Sequence, residues 1–145
     1  MNWQELSAHS HYQTALAIQM ELRKGNISEA NNGIMELITA LSRSEKRALK
    51  SQVIRLMKHI IQWESQPQKR SRSWVATIHH ARNEIKDIQE ETPSLTAEVI
   101  RQMWDTCLAA AIVEAEDEMN QDTQINQLSW EAVWEKDYSL AVQPK

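Results

Sequence analysis

Apolar residues recur every three or four positions along almost the whole chain, and no strict apolar–polar alternation lasts more than a few residues. The pattern predicts helices throughout. Ser10-x-x-Gln13 reads as a capping box opening a first helix. Tyr12, Ala15, Leu16, Gln19, Met20 and Leu22 follow, and Arg23-Lys24 closes it before Gly25, a residue suited to a left-handed cap. Trp3 and Leu6 lie upstream in a short extra turn. A second helix is expected from Ser28 to about Leu41 on Ile34, Leu37, Ile38 and Leu41, weakened at Gly33 by about 1 kcal/mol relative to Ala. Ser42-x-x-Glu45 is a second capping box and favours a break there, with a continuous helix as the alternative.

The third helix runs to about Glu64. Leu49, Val53, Leu56, Ile60 and Trp63 form its stripe, and Ile54, Met57 and Ile61 widen the apolar face. Pro67 stops it, and the polar, basic loop Gln66 to Arg72 follows. Ser71 or Ser73 caps a fourth helix carrying Trp74, Ile78, Ala81, Ile85 and Ile88. Leu56, Ile60, Trp63, Trp74, Ile78, Ala81 and Ile85 are the expected central core. Thr92-Pro93-Ser94 breaks the chain, and Thr96 caps a fifth helix. Val99, Ile100, Met103, Cys107, Ala110 and Glu114 lie on one face of it, flanked by Trp104, Leu108, Ala111 and Ala115. Residues 120–128 are a polar linker. Residues 129–138 form a short helical tail that docks through Trp130, Val133 and Trp134. The expected fold is all-α: an antiparallel bundle of four to five helices with a C-terminal helical tail, forming one domain over 1–145.

Composition narrows the picture. Two Gly and three Pro exclude a sandwich, a barrel and a glycine-rich phosphate loop. One Cys excludes a disulfide framework and a zinc finger. The longest apolar run, Cys107 to Val113, is too short for a membrane span. The opening residues carry no secretory pattern, so a cytoplasmic protein is expected. The net charge of −4 conceals a strong asymmetry: −2 over residues 1–42, +8 over 43–86 and −10 over 87–145. An acidic late helix lying beside basic ones would explain it. A basic surface open to a polyanion is the rival explanation.

Few residues suggest chemistry. No Glu-x-x-His occurs, and the pairs Glu5/His9 and His80/Glu84 read as solvated helix pairs. His9 and His11 fall on different sides of a helix. Cys107 sits on an apolar face and reads as inert core. His59, between Leu56 and Trp63, faces the bundle and reads as a structural histidine with one ring nitrogen bonded to a side chain or carbonyl; the alternative is a candidate polar site with Glu36. Lys69, Arg70 and Arg72, with Ser71 and Ser73, form a candidate anion site at a helix start. The alternative there is a structural clamp whose cations pair with carboxylates of the fifth helix.

The segments Ser44-Glu45-Lys46-Arg47-Ala48-Leu49, His59-Ile60-Ile61-x-Trp63, Gln66-Pro67-x-x-Arg70-x-x-Ser73-Trp74-x-x-Thr77-Ile78, Arg82 and Thr92-Pro93-Ser94-Leu95 resemble the core of a bacterial family, domain of unknown function 29. The resemblance is specific over about 42–95. It implies an all-helical fold and no assigned activity. The family pattern has several acids before this core, roughly Glu-Glu-Ile-Glu, where this chain reads Glu36-Leu37-Ile38-Thr39. A later Pro/Cys-rich family segment has no match between Asn120 and Trp130. Both departures weigh against an enzyme.

The expectation is a cytoplasmic helical protein working through protein contacts, as an interaction or regulatory module or a homo-oligomer. No cofactor, metal or membrane is expected. The alternative is a nucleic-acid or polyanion-binding module using residues 43–86. A third possibility is an enzyme or metal site around His59 and Glu36.

Overall fold

The computed structural model describes residues 1–140, and among them there are helices and turns but no strand. Helix α1 spans Trp3–His9, α2 His11–Arg23, α3 Ile27–Ser65, α4 Arg72–Glu91, α5 Ala97–Met119 and α6 Trp130–Trp134, with a 3-10 turn at Pro67–Lys69. The fold is all-α, as the periodicity predicts. Ser10, Ser71, Thr96 and Ser129 each accept the amide N–H three residues on, at the starts of α2, α4, α5 and α6. Gly25 takes φ +83° after α2, and Asn120 takes φ 53° after α5.

Two expectations about elements change. The turn around Trp3 is a two-turn helix, and Ser10, in extended conformation, separates it from α2. His9 therefore ends one helix and His11 begins the next, rather than sharing one. The break expected at Ser42 is absent: α3 is one helix of 39 residues. Between Gly33 and Pro67 there is neither Gly nor Pro, so every amide near Ser42 can find its carbonyl four residues back. A capping side chain replaces only one of those bonds, and an interior Ser costs at most ~0.7 kcal/mol.

The sequence reads as one domain, but its contacts group into two compact units, Met1–Arg47 and a second from Ala48 onward. The first has a small core of Trp3, Ile18 and Ala30, with Leu6, Ala17 and Leu37 packed against it. Gly33 permits that core. A Cβ there would stand 2.7 Å from Ile18 Cγ1 and 2.8 Å from Trp3 Cζ3. Trp3 Nε1–H donates to Glu29 Oε1 at 2.7 Å. The expected face of this part of α3 is corrected: Ile34, Ile38 and Leu41 are exposed, and the buried line is Ala30 and Gly33, with Leu37 half-buried. Close approach to Trp3 selects the small residues over the large ones.

The second unit is a helical bundle. Leu49, Val53, Leu56, Met57, Ile60, Ile61 and Trp63 of α3 pack with Ile78, Ala81 and Ile85 of α4 and with α5. Six of the seven expected core residues are buried, and Trp74 packs against the core half-buried. The buried face of α5 is rotated from the one that runs from Val99 to Glu114. Leu108, Ala111, Ala115 and Met119 are buried with Ile100 and Cys107, whereas Glu114 is exposed. The alanines let neighbouring helices approach, so the core follows small residues here too. Val133 and Tyr138 of the tail are fully buried in this core.

Candidate functional site

Helices α3 and α5 of the second unit meet along a polar seam. Lys58 Nζ donates to Glu118 Oε1 at 2.8 Å, and Gln62 Nε2 donates to Oε2 at 2.6 Å. Ser65 Oγ and Thr123 Oγ1 share a hydrogen bond of 2.7 Å, and Gln66 Nε2 donates to Gln121 Oε1 at 3.2 Å. The bonds from Lys58 and Gln62 hold the Glu118 carboxyl below the usual carboxylate range. His59 stands beside this seam, half-buried. Its Nδ1 lies 2.9 Å from the Arg55 carbonyl, a position for an N–H donor. Burial lowers its pKa, partly offset by that bond. Glu36 belongs to the first unit, half-buried in a cleft with Gln4, Thr39 and Arg43, so the two residues of the candidate polar site have separate surroundings.

The basic loop is spread out rather than convergent. Arg70 turns back onto α3: its Nε donates to the Trp63 carbonyl at 2.9 Å, and its guanidinium lies 4.8 Å from the Trp63 ring centroid. Ser71 caps α4, while Lys69, Arg72 and Ser73 are exposed. The expected pairing with the fifth helix is corrected: Arg70 pairs with Glu64 of α3 at 3.9 Å, and the cation that meets α5 is Lys58. The carboxylate within reach of Arg70 lies one helix turn before the loop, and this closes the α3–α4 hairpin locally.

A second arginine fastens the tail. Arg82 Nε donates to the Val133 carbonyl at 2.9 Å and its Nη2 to the Lys136 carbonyl at 2.9 Å, at the C-terminal end of α6. Tyr138 Oη–H donates to the Ala132 carbonyl at 2.7 Å, and its ring meets Trp63 edge-on at 5.9 Å. Trp104 stacks on Trp130, which meets Trp134 at a tilt of 55°, and Arg101 lies 4.1 Å from the Trp130 ring centroid. Beyond the tail tryptophans, residue types carry no signal for these anchors, because a carbonyl acceptor belongs to every residue alike.

Cys107 is buried, and burial pushes its thiol up. Among the described residues no three His, Cys, Asp or Glu side chains come together as a metal site would need. No helix there is long and apolar enough to cross a membrane. What stands out is a surface of the first unit. Tyr12, Leu16, Met20 and Leu22 of α2 and Ile27, Ile34, Met35, Ile38 and Leu41 of α3 are exposed, from 38% at Leu16 to 71% at Ile27. At 100° per residue, Ile27, Ile34, Ile38 and Leu41 fall on one side of the Ala30–Leu37 line, whereas Gly33, which meets Trp3 of α1, falls on the other. The flank of α3 away from α1 is thus apolar and open.

A family model described as Domain of unknown function DUF29 matches residues 11–140. The chain belongs to the DUF29 family. The match begins at α2 and extends through the tail, so it covers the hairpin, the polar seam and the tail anchors. The residues that carried the resemblance to DUF29 turn out to hold the fold together. Trp63 and Ile78 are core, Arg70 closes the hairpin, and Arg82 holds the tail. No curated protein and no solved structure matches the chain.

Proposed function

We propose that this DUF29 protein is a protein-interaction module, and that the apolar flank of its first unit pairs with the same flank of a second copy. One observation carries the reading: nine large apolar side chains of α2 and α3 stand exposed on a unit with only three buried apolar residues. So small a core supplies little stability by itself. Four of them, Ile27, Ile34, Ile38 and Leu41, line one flank of α3 over about four turns. Scattered single apolar residues would not amount to this. A second copy suits the surface because the exposed positions of α3 from Ile27 to Leu41, Asn31 and Asn32 among them, carry no charge. A two-fold contact places a patch against itself, so a charged patch would repel its copy and a neutral one does not. The reading keeps the cytoplasmic setting expected from the sequence.

Sedimentation equilibrium of the full chain tests the proposal. The wild-type chain is expected to be dimeric, and Ile34→Glu combined with Ile38→Glu to be monomeric with unchanged helical circular dichroism. A monomeric wild type, or a variant as dimeric as wild type, overturns it.

A further inference from the structure

A different surface of the first unit, independent of self-association, points to a ligand. Where α1 meets α2, a cleft of about 310 Å3 is lined by His9, Ser10, His11, Arg43, Ser44 and Arg47, together with Ser7 and two alanines. The sequence hides this grouping. On an unbroken helix two residues apart by two positions point about 200° away from each other. Ser10, at φ −158° and ψ 118°, breaks the helix, and both imidazoles then line one cleft. From α3, Arg43 and Arg47 lie one turn apart and face the same space.

No carboxylate lines the cleft. Glu36 lines an adjoining one that shares Arg43, but neither Arg43 nor Arg47 forms an ion pair among the described residues. In the second unit, by contrast, Lys58 and Arg70 have carboxylate partners and Arg82 has carbonyl partners. Two guanidinium groups offer planar forks that match two oxygens each, and the hydroxyls of Ser10 and Ser44 add donors. A single carboxylate fills one fork. A phosphate, with three or four oxygens and up to two charges, fills both. We propose that this cleft binds a phosphate group, as free phosphate or as the monoester of a small molecule. Ala40, Arg43 and Arg47 fall on the side of the Ala30–Leu37 line opposite Ile34, Ile38 and Leu41, so the ligand and a second copy use different flanks of α3.

Isothermal titration calorimetry of the full chain, at low ionic strength, with inorganic phosphate and with phenyl phosphate, tests it. Saturable binding of at least one of the two is expected. Tighter binding of phenyl phosphate identifies a monoester site, and equal binding a site for free phosphate. Arg43→Gln with Arg47→Gln should weaken binding by about tenfold or more, the loss of charge-assisted hydrogen bonds. Lys69→Gln with Arg72→Gln, which removes two exposed cations of the second unit, should leave it unchanged. Both variants alter exposed side chains and should keep wild-type helicity. Absence of saturable binding of either ligand to the wild-type chain overturns the proposal. Equal affinity in the Arg43/Arg47 variant does so as well.

Discussion

Leu56 and Ile60 have no exposed surface, and each is enclosed by the α3–α4–α5 core. Truncating either to Ala should cost roughly 2–5 kcal/mol, read from urea unfolding, because it removes transfer energy and leaves a cavity. Tyr138 allows a test of pH dependence. Burial, followed by the nearby Glu64 charge, pushes its phenol up to about 12. The unfolded chain ionises near pH 10, where the folded phenol is still neutral. Stability should therefore be fully present below pH 10 and decline as pH rises from there towards 12. Tyr138→Phe should remove that alkaline decline from thermal melts, while losing the bond to the Ala132 carbonyl. The core residues were legible because two helices present large apolar residues at one spacing. Tyr138 was not, since a lone aromatic beyond a short helix belongs to no repeat.

At the scale of elements, the starts at Ser71 and Thr96 were legible because Pro67 and Pro93 interrupt the chain upstream, whereas Ser10 opens α2 directly after α1 ends at His9. Ser42 carries the same signal as Ser10 yet stays inside α3, so a capping box alone does not separate a break from a continuous helix. Faces were harder. Gly33 and the α5 alanines decide what packs there, and small residues contribute little to an apolar count. Gly33→Ala tests this directly. Helix propensity alone would favour Ala by about 1 kcal/mol. The 2.7 Å approach to Ile18 Cγ1 and 2.8 Å approach to Trp3 should instead make the change destabilising by about 1–3 kcal/mol, as overpacking does. Loss of Trp3 near-ultraviolet signal on milder heating would report it. The tail depends on Arg82 in the same local way. Arg82→Gln should free the carbonyls of Val133 and Lys136 and raise hydrogen exchange across α6 and Tyr138, with little change in α3.

For the molecule as a whole, the charge asymmetry read from sequence is only partly resolved by contacts. Lys58 meets Glu118 and Lys136 meets Glu64, yet most cations of residues 43–86 have no carboxylate within 4 Å among the described residues. Several of them lie on the stretch of α3 from Ile38 to Ala48, about three turns in which no residue is buried. That stretch is held by its backbone hydrogen bonds with no buried side chain to add to them. Its amides should open by local fraying at a small fraction of the free energy that protects either core. Brief trypsin digestion should therefore cut first at Arg43, Lys46 or Arg47, and mass spectrometry should find the two halves before smaller peptides appear. First cleavage inside α4 or α5 would contradict this. Proteolysis of a transiently opened segment follows the population of the open form. Resistance to such cleavage then depends on these three turns, and a partner that covers them would act as a stabiliser without touching either core.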